Sequence, residues 1–325
     1  MFWKVAIAVV AFAAFACASG LPEEYKPPVE PRVEEPPVVE EPPRIEKPSG
    51  ESPGAELHDV RVLLYIGGVA PSDKVAAGQK LVPILERRAA GVAKRYALDH
   101  NEGESRINVE LFGCPDPDRA LLILTAPGLL EFQAVAERDA FVEEIVAAGW
   151  STDALLLRDY ENVIVVKEGD RAGLAAALRA HLPAGSRVLW SRPLDDEGAE
   201  VYEVALATGD GMAVTGAVEA VAVADPATRE PVVHFDLNER DGTVFSGLTA
   251  RNLGGAIAVV FDDELFYTAR VQEQTFRRVA ITGDLSAGRA KDIALLLSSG
   301  SLPATVTPVE YYVDGESRPI PKPSK

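Results

Sequence analysis

The sequence contains few of the residues that form disulfides or bind transition metals. Its 325 residues include only two cysteines, Cys17 and Cys114, and four histidines. Two cysteines form one disulfide at most, and none if Cys17 is modified. The histidines lack the close spacing of zinc ligands; they are His58, His100, His181 and His234. The composition therefore excludes a disulfide-rich scaffold, and the wide spacing of the histidines predicts hydrogen-bonded surface residues. We expect Cys114 to be a buried thiol, because a free cysteine behaves as a small hydrophobic residue.

Positive charge is also scarce. The chain has 32 Lys and Arg against 50 Asp and Glu, which gives a formal net charge of −18. Nucleic-acid binding needs a concentrated basic surface, and anionic lipid attracts basic segments, so we expect neither partner. The apolar run over 5–16 is too short to span a bilayer. Behind Lys4, it is typical of the core of a signal peptide.

Motifs for catalysis are missing as well. Residues 283–289 space two glycines like a phosphate-binding loop, but Arg289 stands where such a loop needs lysine. No serine has the surroundings of a hydrolase nucleophile. Two acidic pairs, Asp195-Asp196 and Asp262-Asp263, lie in predicted exposed turns, whereas acid–base catalysis needs contrasting, partly buried environments. The sequence therefore predicts no enzymatic activity, catalytic residue, metal, cofactor or small-molecule substrate.

The residues around Cys17 resemble the lipidation site of bacterial lipoproteins. The motif is Ala14-Phe15-Ala16-Cys17, in which Ala14 stands where that family usually has Leu. The resemblance implies that the signal peptide, 1–16, is removed and that Cys17 receives a lipid that anchors the chain to a membrane. Ala18 replaces the Asp that usually retains lipoproteins at the inner membrane, so we expect outer-membrane sorting. Ordinary cleavage that leaves Cys17 unmodified is the alternative.

Residues 17–56 are rich in proline and glutamate. The part over 21–56 has ten Glu against four Lys and Arg, a net charge of −6. Proline restricts φ and like charges repel each other, so we expect an extended segment that does not fold. It serves either as a stalk that holds a domain away from a membrane or as a disordered linker of no special length.

The hydrophobic patterns over 57–150 predict alternating strands and helices. We expect strands at 59–66, 106–112 and 129–135, a helix from Asp73 to Tyr96 that Pro83 interrupts, and a second helix capped by Asp116. This β-α-β-β order suits a ferredoxin-like base. Arg87 and Arg88 lie in the first helix, where a solvated charged face is one of two equally good explanations for them; the other is a resemblance described below.

The patterns over 141–300 predict further helices and two hairpins. Helices are expected at 141–149, after Asp170, from Asp241 to 252, and from a Ser286 cap to 299. One hairpin joins 187–191 to 201–206. The other joins 256–261 to 264–271 around Asp262-Asp263, which must then tolerate a left-handed backbone.

Several blocks resemble the first periplasmic domain of SecD, a membrane protein that assists protein export. The clearest blocks are VVHFDL (232–237), LTARNLG (248–254), AVVFD (258–262), AITGDLS (280–286), AKDIALLL (290–297) and GSLPA (300–304). A second set comprises VELFGCPDPDRA (109–120), LEF (130–132), VTGA (214–217) and DPATREPVV (225–233). Residues 84–88 also resemble an Arg-rich helix of the SecD base. In that family a transmembrane helix follows, and we expect none here.

The resemblance and the patterns together predict an α+β fold. It would consist of a ferredoxin-like base and a second α+β head subdomain after a disordered Pro/Glu linker. The expected limits are 1–16 for the signal peptide, 17–56 for the linker, 57–150 for the base, which 301–313 could complete, 151–209 for a connecting α/β segment, 210–300 for the head and 314–325 for a disordered tail.

Similarity to SecD implies a non-catalytic module of the cell envelope, on its periplasmic side. Its partner would be translocating or unfolded polypeptide, bound in support of export. The alternative is a structural or assembly lipoprotein that docks a folded envelope protein and has no role in translocation.

Overall fold

The chain contains both strands and helices, and the computed structural model describes residues 56–101, 105–151, 155–157, 162–182, 184–196, 199–214, 216, 218–283 and 285–321. The predicted signal peptide, Cys17, nearly all of the Pro/Glu segment and the last four residues lie outside these ranges. The α+β fold class is confirmed.

The first five elements are β1 (His58–Gly67), α1 (Lys74–Val92), β2 (Arg95–Asn101), β3 (Arg106–Cys114) and α2 (Pro117–Thr125). Then follow β4 (Leu130–Val135), α3 (Arg138–Ala147), β5 (Leu155–Leu157), β6 (Ile164–Lys167), α4 (Glu168–His181), β7 (Arg187–Trp190), β8 (Leu194–Asp196) and β9 (Ala199–Val214). The remaining elements are β10 (Glu219–Ala224), β11 (Pro231–Asp236), α5 (Glu239–Arg251), β12 (Ala256–Phe261), β13 (Glu264–Arg270), β14 (Arg278–Ile281), α6 (Ala287–Ser299), β15 (Thr305–Val313) and β16 (Glu316–Ser317).

The base is a five-stranded antiparallel sheet in the order β16-β15-β1-β3-β2. With α1 and α2 it forms the β-α-β-β-α-β arrangement of a ferredoxin-like unit. Its last strand, β15, comes from the far end of the sequence and pairs with β1. Tyr311 of β15 is buried, and its hydroxyl donates to Asp118 of α2 at 2.8 Å, so this strand is tied to the helical layer as well.

The expected base strand at 129–135 belongs elsewhere. It is β4, and it pairs with β12 and β9 in a second sheet. Gly128 adopts a left-handed backbone, φ +68°, which glycine does without steric cost. This turn directs the chain away from the base, and the place beside β1 is taken by β15 instead.

The predicted first helix is too long by four residues. It ends at Val92, and Tyr96 lies in β2, where it is 41% exposed. Ala93 is extended, and the Lys94 amide donates to the Phe112 carbonyl at 3.1 Å, so pairing with β3 replaces the last helical turn. Asp73 occupies the cap position without a side-chain cap bond, and Pro83 lies inside α1 without ending it.

Of the two explanations for Arg88, the solvated charged face is wrong. Its side chain is 0% exposed and donates hydrogen bonds to backbone carbonyls of α2 and of the residue that follows α6. A buried guanidinium needs acceptors for its donors. The two terminal nitrogens of Arg88 find carbonyls from segments that are distant in the sequence, whereas Nε has no partner within the described residues.

The second sheet closes on itself. Its order β4-β12-β13-β7-β9 continues with a β9–β4 pairing, so five strands form a small barrel, which β6, β5 and β8 extend from β9. Along β12 the side chains alternate: Ala256, Ala258 and Val260 pack inside, while Ile257 and Val259 join a large outer core. Small interior residues suit the narrow interior of a five-stranded barrel.

The last unit is a three-stranded sheet, β10-β11-β14, packed on α6. The Ser286 cap of α6 is confirmed, because its hydroxyl accepts from the Arg289 amide at 3.2 Å. Two other predicted caps are shifted: α5 is capped by Asn238 instead of Asp241, and α4 begins before Asp170, which lies in its first turn.

Candidate functional site

An open groove of about 940 Å³ runs beside the three-stranded sheet of the head. Strands β10, β11 and β14 and helix α6 line it, with apolar, acidic and basic side chains side by side. The lining residues are Val218, Glu219, Ala220, Val221, His234, Phe235, Asp236, Arg278 and Ser298.

The pairing register sets the chemistry of the groove. Val221 lies opposite His234, and Glu219 lies opposite Asp236, so the four side chains share one face of the sheet. Asp236 in turn faces Arg278 of β14, whose Nε lies 3.4 Å from a carboxylate oxygen. Val221 is 45% exposed. The groove therefore offers a solvent-accessible apolar side chain beside a mixed charged patch.

Strand β10 forms one edge of this sheet. It pairs with β11 on one side, and among the described residues no strand pairs with the other side. The end of α6 covers only the start of the edge: the Val218 amide donates to the Leu297 carbonyl at 3.1 Å, and the Ser298 hydroxyl donates to the Ala220 carbonyl at 3.3 Å. An open strand edge presents backbone donors and acceptors to any extended chain.

The far end of β10 leads into a hydrogen-bonded turn. The Asp225 carboxylate accepts hydrogen bonds from the amides of Ala227 and Thr228, at 2.8 and 2.9 Å. These bonds, with that from Thr228 contributing most, hold the pKa of the Asp225 carboxyl below its usual range. The turn joins β10 to β11, which pair in antiparallel register, and it lies at the end of β10 away from the groove.

The predicted histidines have four different environments. His58 binds the Asp314 carboxylate at 2.7 Å, His181 lies 3.2 Å from Glu144, and His234 is exposed in the groove. His100 departs from the prediction, because its Nε2 is buried and has no hydrogen-bond partner within the described ranges. Over those same ranges, no group of three His, Cys, Asp or Glu is arranged to hold a metal ion.

The other candidate residues that the structure describes are buried, ion-paired or hydrogen-bonded within the fold. Cys114 is a buried free thiol whose pKa is raised by burial, as expected, whereas Cys17 lies outside the described residues. Arg289, in the near-miss phosphate loop, pairs with Glu264 at 2.5 Å. Asp262 was predicted to be exposed, but its carboxylate is half-buried and accepts from the Leu129 amide at 2.7 Å. Burial raises the pKa of this carboxyl.

Comparison with known proteins shows what the segment that contains the groove is similar to. Residues 193–304 match the family model of the SecDF P1 head subdomain. Every residue that lines the groove lies within this match. The chain is also similar to the protein translocase subunits SecD of Desulfurispirillum indicum, 28% identical over 275 residues, and of Calditerrivibrio nitroreducens, 23% identical over 250 residues. These alignments cover 80% and 74% of this chain, but 46% and 41% of the SecD proteins.

A solved structure agrees in fold. It is reported as a membrane component SecDF that enhances protein export, and it is 22% identical with a TM-score of 0.51. The match covers 77% of this chain and 98% of that one. The predicted resemblance to the first periplasmic domain of SecD is thereby confirmed. The chain spans less than half the length of the SecD relatives, and no helix in its described part is long and apolar enough to cross a membrane.

Proposed function

We propose that this chain is a non-catalytic accessory module of protein export, and that it holds exported polypeptide in the groove beside β10. The observation that carries the proposal is the position of the groove. It lies along an open strand edge, entirely within the segment that matches the SecDF P1 head subdomain.

The groove fits an unfolded chain better than a folded surface. An extended polypeptide can add its backbone to the free edge of β10 as a further strand, which is sequence-independent. Its apolar side chains can contact Val221, and its charged side chains can pair with either sign of charge, because Glu219 and Arg278 both line the groove. Weak contacts of this kind permit capture and release of many different sequences.

A binding assay with matched variants tests the proposal. We expect the full chain to bind a fluorescently labelled, permanently unfolded secretory protein, measured by anisotropy. Val221→Asp should weaken binding by about 1 kcal/mol, or about fivefold in Kd, because about half of a valine side chain remains to be buried. Val309→Asp is the control, since Val309 is 48% exposed and lies in the base, on β15. Equal affinities for the two variants would exclude the groove.

Crosslinking in cells separates this function from docking of a folded partner. A photoreactive residue at Val221 should capture many secreted proteins, whereas the same residue at the exposed Tyr96 of the base should not. Capture of one stoichiometric envelope protein, together with no affinity for unfolded chains in the binding assay, would favour the assembly role and refute the proposed one.

We further propose that the chain works on the periplasmic side of a membrane and is anchored by a lipid on Cys17, with the outer membrane as its destination. The support is the lipoprotein-like motif at 14–17 and the similarity to a periplasmic domain. Metabolic labelling with a fatty-acid analogue should mark the wild type and Cys114→Ala but not Cys17→Ala. Unchanged labelling of Cys17→Ala would disprove the anchor, and recovery with inner-membrane vesicles would disprove the sorting.

A further inference from the structure

The two helices of the base lie on the same side of its sheet. Both α1 and α2 pack against the face on which Val62, Leu64 and Val109 are buried. On the opposite face, the pairing register places side chains of β1, β2, β3 and β15 next to one another. These side chains are exposed or half-buried, and they include Arg61, Leu63, Arg95, Glu110, Phe112 and Tyr312. We call this surface the open face.

Two arginines on the open face stack on aromatic rings. The guanidinium carbon of Arg61 lies 4.5 Å from the ring centroid of Tyr312, its partner on β15. The guanidinium carbon of Arg95 lies 5.2 Å from the ring centroid of Phe112, its partner on β3. Arginine stacks on aromatic rings and still presents its planar set of N–H donors to carboxylates. The open face therefore combines two apolar rings with two available cations.

The two guanidiniums have no carboxylate partner among the described residues, although Glu110 lies opposite Arg61 in the pairing register. By contrast, Arg119 and Arg187 are each ion-paired to a carboxylate. The chain has a formal net charge of −18, so cations without a counter-charge stand out on its surface. An acidic partner would supply the carboxylates that the open face lacks.

The segment that precedes β1 combines acidic residues with proline. Residues 33–43 have the sequence VEEPPVVEEPP, which contains four Glu, four Pro and three Val, and no Lys or Arg. Proline-rich chains adopt the extended polyproline conformation, and aromatic surfaces bind this conformation because ordering it costs little entropy. Glutamates can accept paired hydrogen bonds from guanidiniums, while valine and proline can pack on Leu63 and on the two rings. The composition of this segment therefore complements that of the open face.

The segment is attached where it can reach the open face. Residues 44–57 join it to β1, which begins at the same end of the sheet as Phe112. These fourteen residues can span about 40 Å when extended, which is about twice the width of a five-stranded sheet. Gly50 and Gly54 permit the chain to reverse direction. The attachment also gives the segment a high effective concentration at the face, so weak contacts are sufficient.

We propose that residues 33–43 fold back onto the open face of the base sheet and cover it within the same chain. Their glutamates pair with Arg61 and Arg95, and their prolines and valines pack on the two aromatic rings. The acidic segment is then a partner of the base as well as a spacer, and it shields a mixed apolar and charged surface from other chains. This inference does not depend on what the groove binds.

Crosslinking within the full chain tests the proposal. A photoreactive residue at Leu63, in the middle of the open face, should become joined to residues 33–43, and mass spectrometry of the digested protein identifies the crosslink. The same residue at Ala90 is the control, because Ala90 is exposed on α1, on the opposite side of the sheet. We expect no crosslink from Ala90 to the segment.

Matched charge variants identify the contacts that hold the segment. Arg61→Met combined with Arg95→Met should lower the crosslinking yield from Leu63 about fivefold, because two ion pairs are lost. Arg240→Met should not change the yield, since Arg240 is exposed on α5 of the head. Replacing all four glutamates of 33–43 with Gln should give the same loss. The control for that variant replaces four other glutamates of the Pro/Glu segment: Glu23→Gln, Glu24→Gln, Glu30→Gln and Glu46→Gln.

Three outcomes would overturn the proposal. If Leu63 captures no residue of 33–43, this segment does not cover the face. If mixed isotopically light and heavy chains give only crosslinks between two chains, a second copy supplies the segment. An unchanged yield in the variant with four Gln in 33–43 would refute recognition by ion pairs, and this variant leaves the folded base untouched, so it decides the point even if the double arginine variant does not fold. Loss of polypeptide binding at the groove would alter none of these results.

Discussion

A leucine at Ala258 would test whether the second sheet is a closed barrel. Ala258 is 0% exposed and packs with Ala256 and Val260 on β12, Ala205 on β9 and Leu265 on β13. Strands surround this interior on all sides, so three additional carbon atoms have no space to enter. Overpacking of a well-packed core costs about 1–3 kcal/mol, and for a domain of this size each kcal/mol lowers Tm by about 2–4 °C.

The assay is urea denaturation followed by circular dichroism, with Tm as a second measure. Ala97→Leu is the matched control, since Ala97 lies in β2 of the base and is exposed, and such surface changes stay within about 0.5 kcal/mol. We expect a lower urea midpoint for Ala258→Leu than for the control. Equal midpoints would mean that the interior can expand, as it could in an open sheet, and the reasoning from closure would fail.

Three further predictions concern local contacts. Asp116→Ala should destabilise the chain by about 1 kcal/mol, because its side chain caps α2. Asp73→Ala should change the stability little, because Asp73 makes no cap bond, and the urea midpoints of the two variants are compared. Two hydrogen bonds hold the pKa of the Asp314 carboxyl below its usual range, with the larger contribution from His58 and the smaller from the Asp59 amide. The stabilisation by Asp314 is therefore complete above the unfolded pKa of about 3.9. It is lost as the pH falls through the lower folded pKa. Tm measured against pH should therefore fall less steeply in acid for Asp314→Asn. The Cys114 thiol should resist a thiol reagent in the native state and react after denaturation, because it is buried.

Each of these measurements has a control or a contradicting outcome. Equal midpoints for the two cap variants would argue against the capping bond. Asp139→Asn supplies the comparison for the acid limb, because Asp139 is a highly exposed carboxylate on α3, and identical curves for both Asn variants would contradict the Asp314 argument. The thiol assay uses Cys17→Ala, so that Cys114 is the sole thiol, and rapid native labelling would show that the base opens.

The elements that were predicted correctly are determined by residues close to one another in the sequence. The Asp116 and Ser286 caps were identified because a capping side chain accepts from the amide three residues ahead. The turn at Asp262-Asp263 was predicted as a hairpin, and both residues adopt positive φ, 50° and 66°. The cap of α5 was misplaced by three residues, because Asn238 and Asp241 both suit an N-cap and they hydrogen-bond to each other.

The features that the sequence did not reveal depend on distant residues. In the sequence, Arg88 fits the pattern of a charged helix face. Only the folded chain brings carbonyls from positions 35 and 212 residues away to its guanidinium. The groove beside β10 requires the sheet order, which places Val221 opposite His234 at an open edge. Strand β4 was assigned to the base because its alternating pattern contains no information about its pairing partner.

The late strand β15 has a consequence for how the chain acquires its structure. Asp59 and Asp314 are hydrogen-bonded although 255 positions separate them, so the sheet of the base cannot be completed until β15 has been synthesised and released. Contacts of such long range slow folding, and β1 keeps an unsatisfied edge in the meantime, which other extended chains can pair with. During maturation this protein itself would thus pass through a stage in which it needs protection from aggregation.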